Sequence, residues 1–213
     1  MPTQLMDGPG REYLDRLAAD LPAPGGGSGA AFAGALGAAL GSMVANFTVG
    51  KEKFAAVEQQ VRGCLHRLEA QRAELMALVD EDVKAYEAVG GAYGMPRSTD
   101  EERARRDEAI QAALRQASDV PRRIVLAGVA VVRAAAELTD IGNPNLISDV
   151  GCAVRLAQAA VECAWLNVEV NLVLIRDEAF VARARTEVEA ARAEARSLAD
   201  QVFGQVAARI TKS

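Results

Sequence analysis

The sequence predicts an all-α fold: a helical bundle of long antiparallel helices, forming a single domain over residues 1–213. Three observations carry this. Ala and Gly are abundant while aromatic residues make up only 4%, a composition that suits closely packed helices better than a β-sandwich. Apolar residues recur at three- and four-residue steps over long stretches, and no segment alternates convincingly like a strand. Half of the 213 residues are hydrophobic, enough for a substantial core.

The elements follow in order. A short helix is predicted over residues 11–20. Residues 21–50 then contain no charged side chain. They open with Pro24-Gly25-Gly26-Gly27-Ser28, read as a flexible glycine loop with Ser28 as N-cap of a second helix, 28–49. The alternative is a plain tight turn between helices. Gly29, Ala33, Gly37 and Gly41 recur every four residues and offer a smooth face for another backbone. A long helix is expected over 51–93, ended by Gly94 and Pro96. Ser98 and Thr99 ahead of Glu101 and Glu102 mark the next N-terminus, for a helix to about 116. Asp119 or Ser118 would cap a further helix with Pro121 in its first turn, ending near Asp140 before Gly142. After the Asn143-Pro144-Asn145 turn, a helix over 145–175 and a charged one over 177–209 complete the chain.

Some polar residues stand where the helical pattern calls for apolar ones. On the long helix, Val61, Leu65, Leu68, Leu75, Val79, Tyr86 and Val89 trace one stripe, and Asp82 lies on it. An inward carboxylate is costly unless paired or used. Arg72, on the same stripe, is its candidate structural partner, while Asp80 and Glu81 belong at the stripe's edges. The 145–175 helix repeats the anomaly: Leu146, Val150, Ala153, Ala157, Ala160, Ala164, Asn167, Asn171 and Leu174 follow inward steps. Asn167 and Asn171 are either satisfied inter-helix hydrogen bonds or a pair of amides gripping a heterocycle. Asn46 joins the same suspects. Ser148-Asp149 reads as helix capping or as part of a site. Lys51 and Lys53 are solvated or reach an anionic substrate. Glu187, Glu189, Arg192, Glu194 and Arg196 read as a solvated face with i,i+4 pairs, or as a partner surface.

Several functions are disfavoured. A net charge of −5, from 24 Lys+Arg against 29 Asp+Glu, argues against a general nucleic-acid binder. Cys64, Cys152 and Cys163 are scattered and read as inert core thiols. With His66 the only histidine, they leave too few ligands for a structural zinc site, and no Ser-His-Asp triad can be built. Neither a Walker A loop nor G-x-G-x-x-G is spelled out. Residues 29–50 are long enough to cross a bilayer, but their Gly, Ala, Ser and Asn content reads as a buried helix rather than a membrane span. The polar start, with Asp7, Arg11, Glu12 and Asp15, shows no signal-peptide pattern, and the scattered thiols fit a cytoplasmic, reducing location.

Together, several segments resemble the cyclodeaminase/cyclohydrolase family of folate enzymes. They are Pro22-Ala23-Pro24-Gly25-Gly26-Gly27-Ser28, Gly50-Lys51-Glu52-Lys53-Phe54, and Asp80-Glu81-Asp82 through Ala85-Tyr86. Further on stand Ala92-Tyr93-Gly94-Met95-Pro96, Gly142-Asn143-Pro144-Asn145 leading to Ile147-Ser148-Asp149, and Leu166-Asn167-Val168 with Asn171. They occur in family order over about residues 11–205. Tyr93-Gly94-Met95-Pro96 and the following Thr99-Asp100-Glu101-Glu102 look closer to the stand-alone cyclohydrolases, and no fused formiminotransferase domain is expected. Val150 departs from the Ala that related sequences often carry after Ser-Asp.

The resemblance implies the formiminotransferase-cyclodeaminase C-terminal-like fold, a homodimer, a tetrahydrofolate substrate, and no metal or other cofactor. Two activities occur in the family: hydrolysis of 5,10-methenyltetrahydrofolate to 10-formyltetrahydrofolate, and ammonia-releasing cyclisation of 5-formiminotetrahydrofolate. Mapped onto this chain, Asp82 is the expected base or counter-charge and Asp149 a second catalytic carboxylate. Pro24, Gly25, Gly26, Gly27, Ser28, Asn46, Lys51, Asn145, Ser148, Asn167 and Asn171 are the expected substrate-binding residues. Lys51, Lys53 or Arg122 would meet a glutamate tail. The competing class is a non-catalytic helical folate-binding or interaction protein.

Overall fold

A computed structural model describes residues 10–211; Asp7 lies outside the described residues. Six α-helices account for nearly all of it: α1 Gly10–Leu17, α2 Gly26–Asn46, α3 Glu58–Tyr93, α4 Asp100–Ile141, α5 Ile147–Leu172 and α6 Glu178–Ile210. No strand occurs among the described residues. Short 3-10 segments, Glu52–Val57 and Pro144–Leu146, connect α2 to α3 and α4 to α5.

Local signals set most of these limits. Thr99 and Glu102 form a reciprocal capping box at α4: Glu102 N–H donates to Thr99 Oγ1 at 3.1 Å, and Thr99 N–H to Glu102 Oε2 at 3.2 Å. Asp177 caps α6 by accepting the Phe180 N–H at 2.9 Å. Gly142 closes α4 on the Leu138 carbonyl, where a Cβ would stand 2.6 Å from that oxygen.

Sequential helices run antiparallel, so α2, α4 and α6 point one way and α3 and α5 the other. Arg67 pairs with Glu137 and Arg123 with Glu74 between α3 and α4. Glu162 of α5 takes both Arg192 and Arg196 of α6, each at 2.6 Å. The uncharged α2 is the central helix, packed on α3, α5 and α4. Its glycines make this possible. At Gly37 a Cβ would come within 2.8 Å of the Ala153 carbonyl, and at Gly34 and Gly41 within 3.1 Å of Leu75 and Leu68.

The structure departs from the sequence reading at five places. First, α2 starts at Gly26 with Gly25 as N-cap, so two of the glycines form its first turn and Ser28 is already helical. Second, residues 51–57 leave the α-helix for a 3-10 turn. Third, the helices expected to end at 116 and restart near 119 are one element: Pro121 sits inside α4. Asp119 pairs with Arg122, and Ser118 Oγ donates to the Arg115 carbonyl, so neither is a cap. Fourth, each four-residue step turns a helix by about 40° beyond a full turn. The close contacts therefore fall at Gly34, Gly37 and Gly41, while Gly29 and Ala33 are only partly buried, Gly29 on the side of Leu17. Fifth, the charged α6 face is committed chiefly to ion pairs with α4 and α5 rather than to i,i+4 pairs along itself.

Candidate active site

The N-terminus of α2 meets the C-terminal turns of α5 and the second half of α3. Around this junction lies a cleft of about 360 Å³. Gly25, Gly26, Gly27, Asp82, Asn167 and Asn171 line it, with apolar walls from Pro22, Ala23, Ala85, Val89, Leu114, Ala117 and Leu174. Tyr86 and Val170 also line it; 54% and 66% exposed, they form its rim. Asp82 is the one charged side chain on the lining among the described residues.

Asp82 follows from the α3 periodicity, which turns it toward α2. Its Oδ2 accepts the Ser28 N–H at 2.8 Å. Ser28 is the third residue of α2, so a carboxylate from α3 fills the place of an N-cap side chain that Gly25 lacks. Gly27 makes room: a Cβ there would lie 2.1 Å from Asp82 Oδ1. Behind it, the buried Ser28 Oγ and Tyr13 hydroxyl are hydrogen-bonded at 3.1 Å, tying α1 to the same turn. Arg72, the expected partner of Asp82, pairs with Glu69 at 2.5 Å instead. Asp80, expected at the stripe's edge, is buried.

Two forces act on the Asp82 carboxyl. Burial pushes its pKa up, and the Ser28 N–H pulls it down; burial is the larger and the net direction is upward. A carboxyl whose folded pKa is raised prefers the protonated form in the fold. It favours folding at acid pH, and that contribution is lost as pH rises through the folded pKa. At neutral pH the charged Asp82 is therefore held at a cost. Burial also raises the Tyr13 hydroxyl; its bond to Ser28 works against this, and the charges of Asp82 and Asp80 add to it.

Asn167 and Asn171 sit on the opposite wall. Asn167 Nδ2 donates to the Cys163 carbonyl at 2.9 Å and lies against Gly26, where a Cβ would be 3.3 Å away. Asn171 Nδ2 donates to the carbonyls of Asn167 and Ala117, at 2.8 and 3.1 Å. Gln111 holds this end of α5 onto α4, donating to the Leu174 carbonyl at 3.1 Å and accepting the Arg176 N–H at 2.9 Å.

The other predicted site residues divide in two. Pro24 and Ser28 are buried behind the glycine turn and do not line the cleft. Asn46, Lys51, Asn145, Ser148 and Asp149 lie at the far end of the bundle. There Asn143 N–H donates to Thr48 Oγ1 at 2.9 Å, and α2, 21 residues long, puts roughly 30 Å between the two ends. Asn145 and Ser148 line a separate depression beside Arg209. Within one chain Asp149 therefore does not reach Asp82. Arg122 is occupied by Asp119 and Glu187, and Lys53 lies over the Phe54 ring.

Cys64 is buried, and burial with the Glu137 hydrogen bond pushes its thiol to about 11. Cys152 and Cys163 are exposed, contrary to the expectation of core thiols. No three His, Cys, Asp or Glu side chains form a metal-ligating group among the described residues. The sequence reading missed Tyr86 and Val170 as rim residues. Their signal was available: each is a large apolar residue within four positions of a predicted polar site residue.

The fold and cleft define an all-helical protein with a small-molecule site built around one pinned carboxylate and two oriented amides. Residues 9–190 match the family model described as formiminotransferase-cyclodeaminase, and the chain belongs to that family. It is 44% identical to the methenyltetrahydrofolate cyclohydrolase of Methylorubrum extorquens over 202 residues, covering 93% of this chain and 95% of that protein. It is 37% identical to the formimidoyltransferase-cyclodeaminase of Rattus norvegicus, over 96% of this chain and 38% of that longer protein. The crystal structure of formiminotetrahydrofolate cyclodeaminase from Thermotoga maritima superposes with a TM-score of 0.87 at 29% identity, covering 97% of this chain and all of that one.

The cleft makes Gly27 a sensitive position. Gly27→Ala leaves the α2 helix intact but forces Asp82 off the Ser28 N–H. We expect a lower urea midpoint, because the Ser28 N–H loses its acceptor at a cost of about 1–3 kcal/mol, and a loss of turnover of at least tenfold in the folded protein. A folded variant with wild-type activity would show that the carboxylate does not need this seat.

Proposed function

We propose that this chain is a methenyltetrahydrofolate cyclohydrolase, converting 5,10-methenyltetrahydrofolate and water to 10-formyltetrahydrofolate without a metal cofactor. The observation that carries the proposal is the single carboxylate in an otherwise apolar and amide-lined cleft. The relation to the Methylorubrum extorquens enzyme over nearly both whole lengths supports it.

The methenyl carbon bridges N5 and N10 as a cationic amidinium. Asp82 supplies the counter-charge, and its raised pKa brings it nearer to a useful base. Water attacks the carbon and gives one proton to Asp82, leaving a neutral tetrahedral adduct. The adduct's hydroxyl then loses its proton to solvent as the carbon–N5 bond breaks, and Asp82 returns its proton to N5. The sum is cation plus water to neutral formyl product plus one proton. Asn167 and Asn171 hold the ring or the adduct, and the glycine turn lets the ring lie against backbone.

The second reading, cyclodeaminase activity on 5-formiminotetrahydrofolate, is favoured by the Thermotoga maritima likeness. Both reactions pass through an adduct at the same carbon. Purified protein given each substrate separately decides between them: the first reading predicts accelerated loss of methenyl absorbance and no ammonia release from the formimino compound. For Asp82→Asn, kcat on the methenyl substrate is expected to fall by about 10²-fold or more. In wild type, kcat/KM should rise with pH through a pKa above the ordinary Asp value, and that limb should vanish in the variant. Stability at neutral pH should hold or increase, because a charge held in a half-buried, desolvated place is gone.

We also propose a homodimer working in the cytoplasm. Support for the dimer comes from one face of α2 and its C-cap, where the half-buried Phe32, Leu40 and Met43 and the exposed Leu36 and Phe47 follow helical steps without a charge between them. Leu36 and Phe47 are 44% and 55% exposed, a strip suited to an isologous contact. Sedimentation at micromolar concentration should give a dimer, and Leu36→Lys a monomer. A monomeric wild type would contradict this.

A further inference from the structure

Pro121 stands in the interior of α4 and is buried there. Its nitrogen carries no hydrogen, so the carbonyl four residues back, that of Ala117, lacks its usual helical donor. Ala117 is buried and lines the cleft, where an unpaired carbonyl would be costly. The donor comes from another helix: Asn171 Nδ2 reaches the Ala117 oxygen at 3.1 Å. The same nitrogen donates to the Asn167 carbonyl, one turn back along α5, at 2.8 Å.

A primary amide has two N–H groups. Both are now committed to backbone carbonyls, and two carbonyl acceptors fix which end of the amide faces them. The polar group that Asn171 still offers the cleft is its own carbonyl oxygen.

We propose that Pro121 is a positioning residue for this cleft. By withholding one helical N–H, it turns the Ala117 carbonyl into an anchor that holds Asn171 with its oxygen available to the ligand. Asp82 and Asn171 then present acceptors, and the matching ligand edge is one rich in N–H donors or positive charge. This rests on the reaction proposed above for what the ligand is, but not for the anchor itself. An alanine at position 121 supplies an N–H that competes for the Ala117 carbonyl and frees the amide to turn.

The test is a double-mutant cycle of Pro121→Ala and Asn171→Leu, read in two ways. By urea midpoint, Asn171→Leu should destabilise the wild-type protein more than it destabilises the Pro121→Ala variant, because the new N–H takes over the orphaned carbonyl. By kcat/KM on the methenyl substrate, Pro121→Ala should lose roughly tenfold, the scale of one hydrogen bond, mainly through KM. Added to Asn171→Leu, it should cause no further loss. Additive effects in the urea cycle overturn the anchor. Coupled stability with unchanged kcat/KM in Pro121→Ala overturns the positioning role. Should the wild-type chain turn over neither folate substrate, the proposed reaction fails on its own; the urea cycle then decides the anchor, with coupling supporting it and additivity overturning it.

Discussion

The bond from the Ser28 N–H to the Asp82 carboxylate joins the first turn of α2 to the middle of α3, and the site depends on it. It satisfies a free donor of a helix whose N-cap, Gly25, has no side chain. It also fixes the one charged group of the cleft among the described residues. A hydrogen bond to a charged acceptor contributes about 1.5–3 kcal/mol, and a helix N-terminus up to about 2 kcal/mol in a partly buried setting. The Ser28 bond favours the carboxylate, yet the net pKa direction is upward, so burial outweighs that bond. The protein holds Asp82 in place without relieving it of the need for a positive partner. A cationic amidinium carbon supplies that partner.

This seat exists because α2 is built from small residues. Gly27 leaves the space that Asp82 fills, and Gly26 leaves the space for the Asn167 amide. Further along, Gly34, Gly37 and Gly41 let α3 and α5 close on α2. The spacing that makes the core dense thus sets how near the α3 carboxylate and the α5 amides approach each other. The walls are then held from outside, by Gln111 at the end of α5 and by the α5–α6 ion pairs around Glu162.

Much of the fold was legible because its signals are local. Thr99 with Glu102, and Asp177 with Phe180, lie within one turn of the helices they start. The inward placement of Asp82, Asn167 and Asn171 came from periodicity alone. What escaped the sequence was tertiary. Ser28 looked like a cap because its true role depends on Tyr13 and Asp82, 15 and 54 residues away. Pro121 looked like a helix start because its compensating donor, Asn171, is on another helix. Asp149 and Lys51 were grouped with the cleft by family resemblance, while in one chain the length of α2 keeps them apart.

Asp82 is a pinned carboxylate whose burial outweighs the pull of the Ser28 N–H. A carbon-detected NMR titration of the aspartate carboxyls tests it directly, with the Asp82 resonance assigned by its absence in Asp82→Asn. The account predicts a midpoint for Asp82 above the ordinary value of 3.8. A midpoint at or below 3.8 would contradict it, because the Ser28 N–H would then outweigh burial and leave Asp82 a weaker base than the proposed chemistry uses.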